Sequence, residues 1–221
     1  MLIYYDGIHI EKYPNADGIT TNCTLMAGRN YNEFYQEKKS VINGRPISFQ
    51  VWEDDPIHQI QQIHAINPDI FVKVPIVDTR GEWNDAAIRY CNVNSIPLNV
   101  TAIYTKLQIE KAREFLVGMK APIIISIFAG PISDIGIDPN PFIHCAKQMF
   151  PEENAKILWA GCREVYTIVR AERAGCDIIT VPDSVYEKFM DKSKTLEQLS
   201  IERVRKFQND AKNGHTRIGI Q

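Results

Sequence analysis

The sequence lacks most of the features that would mark a secreted, membrane-bound or nucleic-acid-binding protein. Its five cysteines (Cys23, Cys91, Cys145, Cys162 and Cys176) are odd in number and include no C-x-x-C pair. That pattern fits reduced thiols better than a disulfide framework or a thiolate zinc site. The five histidines, His9, His58, His64, His144 and His215, form no H-x-x-x-H pair, so no metal is expected. No apolar run is long enough to span a bilayer, so no membrane partner is expected. Met1-Leu2-Ile3-Tyr4-Tyr5 meets Asp6 at once, which leaves no hydrophobic core for a secretory signal. With 25 Lys plus Arg against 27 Asp plus Glu, the net charge of −2 gives no basic footprint for nucleic acid. The expected setting is the cytoplasm. No G-x-G-x-x-G turn follows the first strand, which argues against an open dinucleotide-binding sheet.

What is present is 44% apolar residues over 221 positions, enough for one large core. Strand-like runs begin at Leu2, Gly18, Ile47, Asp69, Pro97, Pro122, Lys156 and Cys176. Candidate helices follow most of them: Asn32 to Val41, Asp55 to Ile66, Asn84 to Asn92, Lys106 to Val117, Asn140 to Met149 and Glu164 to Ala174. Alternation of this kind predicts a parallel α/β sheet, and eight strands in this length predict a (β/α)8 TIM barrel. Between Asp6 and Gly18 there is too little chain for a crossover helix, and Pro14-Asn15 would break one. The first helix is therefore expected to be missing or reduced to a turn. Thr195 to Asn213 reads as an amphipathic C-terminal helix, with Leu196, Leu199, Val204 and Phe207 apolar. No linker, repeat or low-complexity stretch interrupts the chain, so residues 1–221 are read as one domain.

The stretch Phe71-Val72-Lys73-Val74-Pro75 reads as a buried strand with a lysine in its middle. Side chains alternate faces, so Lys73 shares its face with Phe71 and Pro75. An ammonium there loses hydration, and desolvation pushes it toward the neutral, nucleophilic amine that Schiff-base chemistry requires. The plain alternative is a lysine that snorkels to water or pairs with a carboxylate. In a barrel the active site lies at the C-terminal strand ends. The polar residues falling there are Asp6, Asn22, Gln50, Lys73 and Thr101. Each alone can be explained as a cap or a backbone partner; together they converge on one lysine.

The same residues carry a family resemblance. Gly18-Ile19-Thr20-Thr21-Asn22-Cys23-Thr24-Leu25-Met26 resembles the transaldolase signature G-[IV]-T-T-N-P-[ST]-[LI], with Cys23 in place of proline. Phe71 to Pro75 resembles the family's V-K-[IV]-P strand, and Asn99 to Tyr104 its N-x-T-x-[IVL]-[YF] strand. Ser126 to Ile132 resembles S-P-F-V-G-R-[IL], Ala160 to Arg163 resembles A-S-F-[RK], and Gly175 to Pro182 resembles G-[CA]-x-x-[IV]-T-[LVI]-P. The short length is similar to that of the compact transaldolases and fructose-6-phosphate aldolases.

The resemblance implies a class I aldolase or transaldolase that moves a dihydroxyacetone-type unit between sugars or sugar phosphates, with no cofactor. Lys73 would form the imine, Asp6 would assist C–C cleavage, and Gln50 and Thr101 would hold a proton-relaying water. Thr20, Asn22, Phe128 and Arg163 would contact substrate. Gln50 is similar to the aldolase subgroup and Phe128 to the transaldolases, a mixture that leans toward transfer over simple cleavage. Homo-oligomers built with the C-terminal helix are also implied. Two positions depart: the family's phosphate-binding arginine falls at Pro131 and its phosphate-binding serine at Gly161. Phosphate recognition is therefore expected to be altered or absent, with Arg163 the remaining candidate for an anion. Alternatives are an aldolase of a specialised sugar, or a barrel that serves only in binding or assembly. Glu53-Asp54-Asp55 reads as a helix-dipole partner rather than a cation site, and Cys162 as a buried thiol.

Overall fold

The computed structural model describes residues 1–191 and 194–219. Short β-branched and aliphatic runs form eight strands: β1 (Leu2–Asp6), β2 (Gly18–Thr20), β3 (Ile47–Gln50), β4 (Phe71–Pro75), β5 (Leu98–Ile103), β6 (Ile123–Ile127), β7 (Ala155–Trp159) and β8 (Ile178–Pro182). They pair in parallel and in sequence order, and β8 returns to β1, so the sheet is a closed barrel. This is the (β/α)8 TIM barrel the alternation predicts. Closure leaves no edge strand exposed.

The helices that follow the strands are α1 (Tyr31–Ile42), α2 (Ile57–Ile66), α3 (Asp85–Val93), α4 (Lys106–Phe115), α5 (Ala129–Asp134), α6 (Asn140–Met149), α7 (Val165–Arg173) and α8 (Asp183–Met190). Several start on side-chain caps. Asn30 Oδ1 accepts from the amides of Asn32 and Glu33, and Thr105 with Gln108 closes a capping box on α4. Two of these helices, α5 and α8, have no counterpart in the sequence reading.

After β1 the chain makes only a short 3-10 turn, Ile10–Lys12. What holds this stretch in place of a helix is aromatic and polar. Tyr13 packs at a tilt between Tyr5 and Tyr186 at centroid distances of 4.4 and 4.5 Å. Tyr5 and Tyr13 donate to the two oxygens of Asp183 at 3.0 and 2.7 Å. Arg45 donates to the carbonyls of Tyr13 and Ala16 at 2.9 and 3.0 Å, satisfying backbone a helix would have paired internally.

The chain divides into two compact units, Met1–Tyr186 and Glu187–Gln221. The first holds the barrel. The second holds the end of α8 and an 18-residue helix, α9 (Leu196–Asn213), capped by Thr195 and Gln198. None of the residues of α9 is buried. No helix among the described residues is long and apolar enough to cross a membrane.

Candidate active site

Strand pleating decides which side chains enter the barrel. On β4, Val72 and Val74 point outward to the helices, while Phe71 and Lys73 point inward. Register aligns Gln50 with Lys73 and Lys73 with Asn99, so residues from β3, β4 and β5 meet at one level. Part of the interior is apolar: Tyr4, Ile124, Leu158, Ala160 and Ile178 form a cluster, with Phe71 and Phe128 packed on it.

Above that cluster, at the C-terminal strand ends, opens a cleft of about 540 Å³. Lys73 lies in it at only 6% exposure, its Nζ donating to the Thr21 carbonyl at 3.3 Å. Burial holds its pKa below the ordinary lysine value, against the opposing pull of Asp6 and of Cys23. Asp6 is the mirror case. Burial raises its pKa, while Lys73 and the Thr20 hydroxyl pull it back. Thr20 donates to Asp6 Oδ1 at 2.8 Å and shares a close hydroxyl contact with Thr180. A hydroxyl has one proton, so Thr180 is the donor to Thr20, and the chain ends on the carboxylate.

Asn22, Gln50, Thr101 and Phe128 line the same cleft. Asn22 Oδ1 accepts from the Leu25 amide at 2.9 Å, which fixes the turn after β2. Gln50 is anchored through its carbonyl, which accepts from the Tyr31 hydroxyl at 2.8 Å. Thr101 Oγ1 is buried and has no partner among the described residues. An unpaired buried hydroxyl beside the cleft is a ready partner for a water. Phe128 faces Tyr104 at 5.3 Å between ring centroids.

The remaining sequence-predicted site residues sit elsewhere. Thr20 is fully buried beneath Asp6 and reaches the cleft only through that carboxylate. Arg163 is not brought to the cleft. Its Nε and Nη2 both donate to Asp134 Oδ2, at 3.1 and 2.7 Å, and its side chain is 59% exposed.

The sequence reading missed several lining residues. Cys23, Leu25, Ala102 and Pro182 also face the cleft. Ala102 takes the left-handed conformation (φ 58°), where the β5–β6 register shifts. Such bulges redirect the chain at site rims. Below Lys73, Ser126 donates to Asn99 Oδ1 at 2.7 Å and Asn99 Nδ2 to Ser48 at 3.3 Å. This buried polar bridge ties three strands together. The Cys23 departure from proline was the one sequence signal for any of these.

At the phosphate positions, Gly161 adopts φ +78° and a Cβ there would lie 2.6 Å from Pro131 Cδ. A Cβ on Gly130 would meet the Gly161 carbonyl. The Gly130 amide donates to Ala160 O at 3.0 Å, and Pro131 has no amide hydrogen. Among the described residues no cluster of His, Cys, Asp or Glu could hold a metal ion. Asp54 is taken up by the Thr79 amide and hydroxyl instead.

Comparison with known proteins shows the family. The family profile described as Transaldolase/Fructose-6-phosphate aldolase matches residues 3–218. A Listeria monocytogenes protein described as "Probable transaldolase 1" is 30% identical over 203 residues, covering 86% of this chain and 90% of that one. A Coprothermobacter proteolyticus "Probable transaldolase" is 29% identical, covering 88% and 91%. Among solved structures, 3-hexulose-6-phosphate synthase from Salmonella typhimurium superposes with a TM-score of 0.60 at 13% identity, covering 85% of this chain and 91% of that one. That last likeness speaks to the barrel alone. With the profile spanning nearly the whole chain and the lysine strand at the centre of its cleft, this protein belongs to the transaldolase/fructose-6-phosphate aldolase family.

Proposed function

We propose that the protein is a class I aldolase or transaldolase that transfers or cleaves a dihydroxyacetone-type unit of a sugar through a Schiff base on Lys73. The observation that carries this reading is a desolvated lysine facing an open cleft beside Asp6, with its pKa held low. The amine adds to the donor ketone and water leaves, giving an imine. Asp6 takes the proton of the hydroxyl two carbons from the imine carbon, the intervening C–C bond breaks, and the electron pair moves into the imine as an enamine. The aldehyde fragment departs. Addition of the enamine to an acceptor aldehyde reverses these steps, with Asp6 returning the proton, and water then hydrolyses the imine. Gln50 and Thr101 hold that water. No metal or cofactor is required, because the imine accepts the electron pair.

The cleft's phosphate recognition is altered or absent, since Pro131 and Gly161 supply neither a guanidinium nor a hydroxyl. The chain assembles with copies of itself through α9, whose apolar side chains, including Leu196, Val204 and Phe207, are all exposed.

Incubation with dihydroxyacetone, fructose, fructose 6-phosphate or sedoheptulose 7-phosphate, followed by borohydride and peptide mass measurement, tests the reading. A donor fragment on the Lys73 peptide, absent in Lys73→Met, supports it. A strong preference for the two phosphorylated donors would overturn the phosphate part. No adduct from any donor would favour a barrel that only binds or assembles.

A further inference from the structure

We infer that the acceptor aldehyde of this site is uncharged and apolar beyond its carbonyl, with its carbon chain lying against Leu25, Ala102, Phe128 and Pro182. The inference rests on the Schiff-base reading above and narrows its substrate class. The cleft combines a polar set with an apolar one. Asp6, Asn22, Gln50, Lys73 and Thr101 supply the polar groups, with Cys23 and Thr24 beside them, and Leu25, Pro75, Ala102, Phe128 and Pro182 supply an apolar wall.

Among the described residues, Lys73 is the one cation lining the cleft, and imine formation uses its nitrogen. The other charged group there is Asp6, which repels an anion. Arg163 is held on the exterior by both its contacts to Asp134. The Gly130 and Ile132 amides are already bonded to Ala160 O and Phe128 O. A phosphate placed here would lose its hydration without replacement. A methylene chain in the same place leaves water for apolar contact. Phe128 is the centre of that surface, backed by the Tyr104 ring and the barrel's apolar cluster.

The test uses dihydroxyacetone as donor and three four-carbon aldehydes as acceptors: butanal, erythrose and erythrose 4-phosphate. Rates are compared per free aldehyde, and dihydroxyacetone is trapped on Lys73 with borohydride in parallel. The expected order is butanal, erythrose, erythrose 4-phosphate, with kcat/KM for the first exceeding the last by about tenfold or more. A trapped adduct with equal or reversed rates would overturn the acceptor inference and leave the Schiff base standing. Absence of the adduct would remove both. A second arm uses Leu25→Lys on the half-buried turn after β2, with the Lys73 adduct reporting an intact site. The added ammonium should narrow the ratio about tenfold, and an unchanged ratio would show that the tail does not pass Leu25.

Discussion

Gly161 lies against Pro131: the glycine is left-handed, and a side chain on it would run into the proline ring. Both departures from the family's phosphate site are thus one packing arrangement rather than two separate losses. Gly130 completes it, since its missing side chain makes room for the Gly161 carbonyl.

Restoring the serine alone should therefore fail. Gly161→Ser puts a side chain at positive φ and against Pro131 Cδ, and should cost about 1–3 kcal/mol. Pro131→Arg removes the ring that causes the clash. In a urea-denaturation cycle, the double variant should recover part of the loss, with a coupling of about 0.5–3 kcal/mol. Strict additivity would mean the two residues do not constrain each other.

Lys73→Met should abolish borohydride trapping without lowering the thermal midpoint. Burial opposes the charged amine, so an apolar side chain of similar length relieves a cost the native site carries for function. A midpoint lowered by several degrees would mean that Lys73 is mainly a structural cation.

The pH profile should rise through two steps, one set by each of Lys73 and Asp6. Imine formation needs neutral Lys73, whose pKa is lowered from 10.5, so the rate should climb with pH and level off before an ordinary lysine would have titrated. The acid step belongs to Asp6, whose pKa is raised from 3.8, so activity should fail at a higher pH than an ordinary carboxylate allows. Thr20→Val removes a hydrogen bond that favours the carboxylate and should move this step further up. The linkage to stability has a definite sign. A raised folded-state pKa means the contribution of Asp6 is fully present below 3.8 and lost as pH rises through its folded value. Asp6→Asn should accordingly raise the neutral-pH midpoint, with the gain shrinking toward acid. A gain that does not vary with pH would rule out protonation as its origin.

Val204 and Phe207 on α9 are 63% and 60% exposed. Replacing both by Asp should convert a multi-copy species into a smaller one in sedimentation analysis, with unchanged far-ultraviolet dichroism. A native protein that sediments as one copy would dismiss the assembly role of α9.

The barrel was legible because its strands are apolar runs at regular spacing, and the lysine because one charge interrupts such a run. The two helices that escaped notice had physical reasons to. Residues 129–134 read Ala-Gly-Pro-Ile-Ser-Asp, too short and too rich in helix breakers for a period to show. Helix α8 starts at Asp183, directly after Pro182 of β8, so no loop composition announces it. Asn22 was read at a strand end, but β2 stops at Thr20 and the asparagine belongs to a turn. Ala102 carries no trace of its left-handed backbone, because alanine is the wrong residue to signal one. Arg163 showed the limit of motif matching: position in a pattern does not reveal that Asp134 holds the side chain.

The barrel seam has a consequence for how the chain is made. β1 aligns three residues with β2 but five with β8, and the Tyr5–Asp183 bond spans 178 positions. The first strand of the barrel therefore keeps its better edge unpaired until almost the whole barrel sequence has been made. Loop closure over such a separation is slow, and an open parallel edge can capture another chain. Nascent chains stalled before Pro182 should be the species most dependent on chaperones, and the tyrosine–aspartate latch marks the moment at which that dependence ends.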